Sequence, residues 1–177
     1  INSLPKPLSV ECFLSNFDPP LNLFAVNSTS SAQPAEGPGS PRVLIIRNNF
    51  VISVVPTIRT EPFVEFSQVV QSNLSIKGEL QFPIRENISE QDPFEQILST
   101  TTQQPATSCR FCHRNESPRE GSSFASDIIA PNPFSRVSKE TMMNELERCQ
   151  SQPDSQRCRM IQSIYGRGDV NDITWPF

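Results

Sequence analysis

"VLIIRNNFVISVV", residues Val43–Val55, is the stretch that decides the fold. Two runs of β-branched and other apolar residues flank the pair Asn48-Asn49. Asparagine tolerates the positive φ angle that a two-residue hairpin turn requires. The stretch therefore predicts two antiparallel strands joined at these asparagines. A partial alternation of apolar and polar residues continues to residue 85 and extends the prediction to roughly three to five short strands.

Three other segments surround this β region of residues 43–85. Residues 1–42 contain apolar side chains without helical spacing, several prolines and a Ser/Pro-rich end, which predict an extended arm and a linker. Residues 86–108 are rich in serine, threonine and glutamine and predict a second linker. Residues 109–177 contain the clearest helical spacing. The predicted fold class is α+β and loop-rich: a small antiparallel β region with an extended N-terminal arm, followed by a short C-terminal α-hairpin segment.

Two helices are predicted in this last segment. Ser138 can cap a helix that runs to about Cys149, and residues 153–155 can start a second helix that ends at Gly166. Cys149 and Cys158 would lie near the closed end of the resulting hairpin, each on its inward face. The pattern predicts a disulfide between them in an oxidising compartment, which would contribute roughly 2–3 kcal/mol.

Composition excludes some functions and indicates a compartment. The chain has 177 residues, a formal net charge of −4 and scattered Lys and Arg residues, so nucleic-acid binding has little support. The longest apolar run, Val43–Val55, is interrupted by polar residues and is too short to span a bilayer. Five cysteines in a loop-rich chain favour an oxidising compartment. We expect an exported protein, periplasmic or extracellular, without a transmembrane segment, and the start at Ile1 fits a processed or a shortened chain.

The segment "SCRFCHR", residues 108–114, contains two of the five cysteines and the only histidine. It fits C-x-x-C-H, the pattern of covalent haem attachment. One helical turn separates Cys109 from Cys112, so both thiols can reach the vinyl groups of one porphyrin. His113 then lies beneath the ring, where its imidazole can bind the iron. On these five residues the chain resembles a monohaem c-type cytochrome.

This resemblance implies one covalently bound haem c as cofactor, attached through Cys109 and Cys112, with His113 as the proximal iron ligand. It implies electron transfer rather than enzymatic catalysis, and redox proteins or a larger membrane-associated envelope complex as partners. The apolar arms favour a role as a subunit or accessory of such a complex.

The sixth iron ligand has three candidates, since a methionine thioether is the usual alternative to a second histidine. Met160 and Met143 rank ahead of Met142, and ordinary core packing is the other interpretation of each. A lysine, water or a partner chain could also serve this position.

Other interpretations of the motif stay open. Zinc would require a second ligand pair, and the two C-terminal cysteines do not have the spacing of a zinc knuckle. A redox-active dithiol would require a thioredoxin-like βαβ unit. Cys109 could instead form a structural disulfide with Cys112 or Cys12. The second function class is accordingly a haem-free, disulfide-braced structural or binding protein of the cell envelope, and a third is an open-site haem in ligand sensing or peroxide chemistry.

Overall fold

The structure, a computed structural model, describes residues 1–100 and 105–177. Within these ranges one sheet contains nine strands: β1 (Leu21–Val26), β2 (Arg42–Arg47), β3 (Phe50–Val54), β4 (Phe63–Gln71), β5 (Leu74–Gln81), β6 (Ser117–Pro118), β7 (Phe124–Asp127), β8 (Arg136–Val137) and β9 (Val170–Asp172). The helices are short: α1 (Val10–Leu14), α2 (Asp92–Glu95), α3 (Lys139–Arg148) and α4 (Gln156–Tyr165). No helix in the described part of the chain has the length and hydropathy needed to cross a membrane.

The predicted hairpin at Asn48-Asn49 is confirmed and lies inside the sheet. Strands β2 and β3 pair antiparallel, with Arg47 opposite Phe50. Asn48 has a φ of 55°, the left-handed conformation that asparagine tolerates better than most residues. The full strand order is β6-β7-β5-β4-β3-β2-β1-β8, and β9 pairs parallel with the first half of β1.

Side chains of each strand alternate between two faces of this sheet. We call the first face the side of Val43, Ile52 and Val64, which belongs to the main hydrophobic core together with side chains from α1, α3 and α4. The second face carries a smaller cluster: Phe24, Val26, Leu44, Ile46 and Val51, with Ile173, Trp175 and Phe177 of the C-terminal segment packed against it. Among the described residues, the α-helices α1, α3 and α4 therefore cover the first face, whereas the C-terminal segment packs against the cluster on the second face.

The two predicted C-terminal helices are present. The Ser138 hydroxyl accepts a hydrogen bond from the Thr141 amide (3.2 Å) at the start of α3, and Gly166 ends α4. The predicted disulfide between Cys149 and Cys158 is confirmed, and both residues are buried in the first-face core. The helical hairpin is thus braced at its closed end.

The predicted α+β class is wrong, because the protein is mainly β. Residues 109–177, expected to be helical, also contribute four strands. These strands have only two to four residues each, too few for an alternating pattern to be recognised. Three of them, β7, β8 and β9, pair with strands distant in sequence, as Val137 of β8 does with Ala25 of β1. The fourth, β6, has only two residues.

The extended N-terminal arm is also wrong. Its residues 21–26 form β1, which is buried on both faces except at Asn22, and a strand buried on both faces shows no alternation. Leu8 and Val10 are buried in the first-face core. The apolar side chains of the arm are therefore covered by this chain itself. In the predicted linker of residues 86–108, α2 and a bridge between Leu98 and Thr107 are present, and residues 101–104 lie outside the described residues.

Candidate functional site

A cavity of about 380 Å³ lies on the second face of the sheet. Its floor is formed by polar residues of β2 to β5, its apolar wall includes Leu44, Val51, Trp175 and Phe177, and the C-x-x-C-H segment lines it from one side. We call it the second-face cavity. Its volume is within the usual range of small-molecule sites, roughly 300–1,000 Å³.

A row of polar side chains crosses the floor of the cavity. Ser53 of β3 pairs with Glu65 of β4, and Glu65 pairs with Glu79 of β5. Directly opposed residues of antiparallel strands have Cβ atoms about 4.5–5.5 Å apart, and like charges in such pairs are unfavourable. The register therefore places the carboxyl groups of Glu65 and Glu79 side by side on the second face of the sheet.

Arg42 serves only one of these carboxyl groups. Its guanidinium donates hydrogen bonds to Glu65 Oε2, to the Ser31 hydroxyl and to the Ser53 hydroxyl, the last at 2.5 Å. Glu65 Oε1 is buried and has no hydrogen-bond partner among residues 1–100 and 105–177. Burial raises the pKa of Glu65, and the positive charge of Arg42 opposes this rise only in part.

Glu79 is half-buried, and its carboxyl group makes no hydrogen bond or ion pair within the part of the chain that the structure describes. Burial, together with the neighbouring charge of Glu65 and against the opposing charge of Arg42, raises its pKa from the usual 4.5 to about 7. Glu79 is therefore only partly ionised at neutral pH, and its carboxyl group is available to a ligand.

This environment predicts how Glu79→Gln changes stability with pH. The pKa of Glu79 is higher in the folded state (about 7) than its usual value of 4.5, so the folded protein binds the extra proton and loses stability as pH rises from about 4.5 to 7. The variant lacks this loss. We expect its free energy of unfolding to exceed that of the wild type by about 1–2 kcal/mol at pH 8, after allowance for solvent screening, and to equal it near pH 4.5.

Urea unfolding at both pH values measures this difference. Glu86→Gln is the matched control, because Glu86 is exposed and is not among the residues that line the second-face cavity. The interpretation fails if Glu79→Gln is no more stable than Glu86→Gln at pH 8.

Lys77 lies next to the row of polar side chains on the cavity floor. The hydrogens of its ammonium group are already used in contacts with other groups of the protein. Its ammonium group donates to the hydroxyls of Ser75 (2.9 Å) and Ser126 (2.8 Å) and approaches three backbone carbonyls at 3.3–3.4 Å. Burial lowers the pKa of Lys77 to about 8, although the neighbouring acidic groups oppose this shift. Lys77 thus ties β5 to β7 rather than offering a free cation to the cavity.

The C-x-x-C-H segment begins with a 3₁₀ turn at Ser108–Phe111. The buried Thr107 caps this turn, since its hydroxyl accepts a hydrogen bond from the Cys109 amide at 3.1 Å. Glu116 in turn accepts hydrogen bonds from the amide (2.9 Å) and the hydroxyl of Thr107. The side chain of Glu116 therefore holds this turn in place through Thr107.

His113 is held against β7 as a neutral imidazole. Its Nδ1 lies 2.8 Å from the carbonyl oxygen of Asp127, and because a carbonyl only accepts, we assign the proton to Nδ1. Burial, together with the nearby charge of Lys77, lowers the pKa of His113 to about 4. At neutral pH the ring therefore offers Nε2 only as a hydrogen-bond acceptor.

Three cysteines are free thiols: Cys12, Cys109 and Cys112. The proposed disulfide of Cys109 with Cys112 or Cys12 is therefore absent from the structure. Burial raises the pKa of Cys109, although its hydrogen bond with Thr107 opposes this. A thiol with a raised pKa is a weak nucleophile and a weak metal ligand at neutral pH, so Cys109 is not an activated group.

The resemblance to monohaem c-type cytochromes is wrong. Among residues 1–100 and 105–177 there is no group of three or more His, Cys, Asp or Glu side chains that could hold a metal ion. Met142 and Met160 are fully buried in the first-face core, and Met143 packs against that core, whereas His113 lines the cavity on the second face. The sheet separates the predicted proximal ligand from every methionine proposed as the sixth ligand.

The roles of Cys109 and Cys112 as haem attachment sites followed from the same resemblance and are withdrawn with it. A zinc site has no second thiolate pair, because Cys149 and Cys158 form a disulfide. Electron transfer rested on the resemblance alone, so it is not carried further.

The C-terminal segment supplies the aromatic wall of the cavity. Ile173 donates its amide to the carbonyl of Leu23 (3.0 Å), and Arg136 forms an ion pair with Asp172 (2.6 Å). Trp175 then meets Phe177 edge-on, with ring centroids 5.4 Å apart. The indole Nε1 of Trp175 is buried, and no described residue accepts a hydrogen bond from it.

A wider groove of about 820 Å³ runs along residues 80–88 and α2. Within the described chain, no residue that lines it has a buried polar atom without a hydrogen-bond partner. The second-face cavity contains two such atoms, Oε1 of Glu65 and Nε1 of Trp175, and is therefore the candidate site. No family model, curated protein or solved structure matches this chain.

The sequence pointed to His113 and the two cysteines of this site, but not to the polar residues that form its floor. In the sequence of residues 63–69, Glu65 and Ser67 are two positions apart and therefore fall on one side of a strand. This spacing did not indicate that this side is half-buried, nor that Glu79 would stand opposite Glu65.

Proposed function

We propose that the chain is a non-enzymatic binding protein that takes a small ligand with an apolar body and a polar end into the second-face cavity. The observation that carries this proposal is the combination of an apolar wall with a polar floor on which Glu79 has no protein partner among the described residues. Small-molecule sites commonly combine apolar lining with a few oriented polar groups.

Binding is favoured over catalysis by the state of the reactive side chains. The pKa of Cys109 is raised, so this thiol is not an activated nucleophile. His113 has a pKa of about 4 and is held by Asp127, which leaves it poorly suited to gain a proton at neutral pH. Lys77 is engaged by five acceptors. The side chains of Cys109, His113 and Lys77 are therefore better suited to holding a ligand than to catalysing a reaction.

We further propose that the protein is exported and works in the periplasm or outside the cell. The disulfide between Cys149 and Cys158 supports this, because disulfides persist mainly in oxidising compartments. Its partner in this proposal is a small molecule.

The test uses the uncharged dye N-phenyl-1-naphthylamine with the full chain. Trp175 is the only tryptophan and lines the cavity, so a dye bound there should quench its emission by energy transfer. We expect saturable binding with one site per chain. Absence of saturable quenching would contradict the proposal.

Cavity-filling variants locate the dye. Val69→Phe and Ser67→Phe add volume at residues that line the cavity, and we expect each to weaken dye binding at least tenfold. Val70→Phe is the matched control, because Val70 follows Val69 in β4 but is exposed (41% of its surface) and is outside the cavity lining. Equal binding by Val69→Phe and Val70→Phe would place the dye elsewhere and overturn the assignment.

A further inference from the structure

We infer that the ligand of the second-face cavity is an organic ammonium ion, whose protonated amine binds Glu79 while its apolar part contacts Trp175 and Phe177. This inference rests on the proposed function and names the chemical class of its ligand. Three features of the cavity lead to it: an unused carboxyl group, cations that are already engaged, and an aromatic wall.

The unused carboxyl group is Glu79. It is only half-buried, so a ligand in the cavity can reach it. Glu65 is different, because its unpartnered Oε1 is sealed from solvent and can contribute its charge but not a hydrogen bond to a ligand. Arg42 contacts Glu65 and not Glu79, so the carboxyl group of Glu79 has no paired cation among the described residues.

The cations of the cavity are already engaged. Each of the three guanidinium nitrogens of Arg42 donates to a neighbouring side chain. Lys77 has more acceptors around it than it has protons. His113 is neutral and offers an acceptor. An anionic ligand would therefore have to displace existing contacts, whereas a donor-rich cation finds free acceptors.

The aromatic wall suits the rest of such a ligand. Trp175 and Phe177 line the cavity together with Leu44 and Val51, so an apolar chain or ring has a surface to bury. An ammonium group close to an aromatic face gains further attraction from the ring quadrupole. A polyol could also donate hydrogen bonds to Glu79, but it carries no positive charge. Comparison of a charged amine with an uncharged alcohol therefore distinguishes the two classes of ligand.

The pH dependence follows from the groups that surround Glu79. Glu65 on β4 and Arg42 on β2 face it across the floor, Lys77 and His113 line the same cavity, and α2, with Asp92 and Glu95, packs at Gly78 from the first face. Glu79 deprotonates near pH 7, while an alkylammonium group stays protonated below about pH 9. Amine affinity should therefore rise about tenfold between pH 6 and pH 8.

Displacement of N-phenyl-1-naphthylamine by two small probes tests the inference. At pH 8 we expect 2-phenylethylamine to bind at least tenfold more tightly than its uncharged isostere 2-phenylethanol. In Glu79→Gln the difference between the two probes should fall below threefold, while Glu86→Gln, an exposed position that carries the same change of charge, should behave as the wild type.

The outcomes distinguish failure of the proposed binding function from failure of the inference that the ligand is an amine. If the dye does not bind, the proposed function fails. If the dye binds but the two probes compete equally, if neither competes at millimolar concentration, or if Glu79→Gln keeps the full preference for the amine, the inference fails while the binding function stands.

Discussion

Arg42→Leu should lower the free energy of unfolding by about 2–4 kcal/mol at pH 8, because it leaves the buried carboxyl group of Glu65 without the positive charge that pairs with it. Glu65 retains 22% and Arg42 21% of their side-chain surface, so we place the effect below that of a fully buried pair. Loss of Arg42 also removes the positive charge that opposes the raised pKa of Glu79. Two adjacent carboxyl groups would then face each other with no cation between them.

The loss should depend on pH. Without Arg42 the pKa of Glu65 in the folded state rises further, so the folded protein holds a proton that the unfolded chain releases above about pH 4.5. Stability then falls as pH rises from about 4.5. Urea unfolding should show a much smaller loss at pH 5 than at pH 8, with the same dependence on urea concentration.

Two further variants make this prediction specific. Arg159→Leu removes an arginine from a more exposed pair with Glu11, where 43% of the arginine side chain is accessible, and should cost no more than about 1 kcal/mol. The double variant Arg42→Leu/Glu65→Leu should recover most of the lost stability, because an apolar pair leaves no uncompensated charge. A loss in Arg42→Leu that is independent of pH and no larger than that in Arg159→Leu would refute the electrostatic explanation.

The second large effect is expected from removal of the disulfide. The bond between Cys149 and Cys158 closes a loop with a sequence separation of 9 residues, which corresponds to about 2.5 kcal/mol of loop-closure entropy. Both cysteines are buried, at 0% and 3% exposure, so the double variant Cys149→Ala/Cys158→Ala also loses packing in the first-face core. We expect a total loss of about 2.5–4 kcal/mol and a melting temperature lower by roughly 5–15 °C.

Calorimetry and urea unfolding without reductant measure this loss. Cys12→Ala is the control, since Cys12 is an exposed free thiol, and its stability should stay within about 0.5 kcal/mol of the wild type. Reduction of the wild-type protein should reproduce the effect of the double variant. A loss below 1 kcal/mol in the double variant would show that the helical hairpin does not depend on its covalent brace.

Several features of the fold were predictable because their signals are local. The turn at Asn48-Asn49, the cap at Ser138 and the disulfide each involve residues that are within ten positions of one another. Residue type and spacing are sufficient at this range, since turn conformation, capping and short loop closure depend on a few neighbouring residues.

The class of the fold was not predictable in the same way. Strand β1 is buried on both faces, so no alternation identifies it. It pairs with the neighbouring β2, but its other edge pairs with β8 and β9, more than a hundred positions away. The C-x-x-C-H motif illustrates the same limit for function. Its five residues fit haem attachment, but only the tertiary structure shows that the sheet lies between His113 and the methionines.

The sequence by itself determined the central hairpin, the capped helical pair and its disulfide, because each is a property of short range. Only the tertiary structure decided that Glu79 lies opposite Glu65, that Arg42 pairs with Glu65 and not with Glu79, and that Trp175 covers the same face. The physical reason is that alternation tells which side chains share a face of a strand, but not which strand lies beside it. That pairing is set by the burial of the whole sheet, and here it creates the cavity on which the proposed function depends.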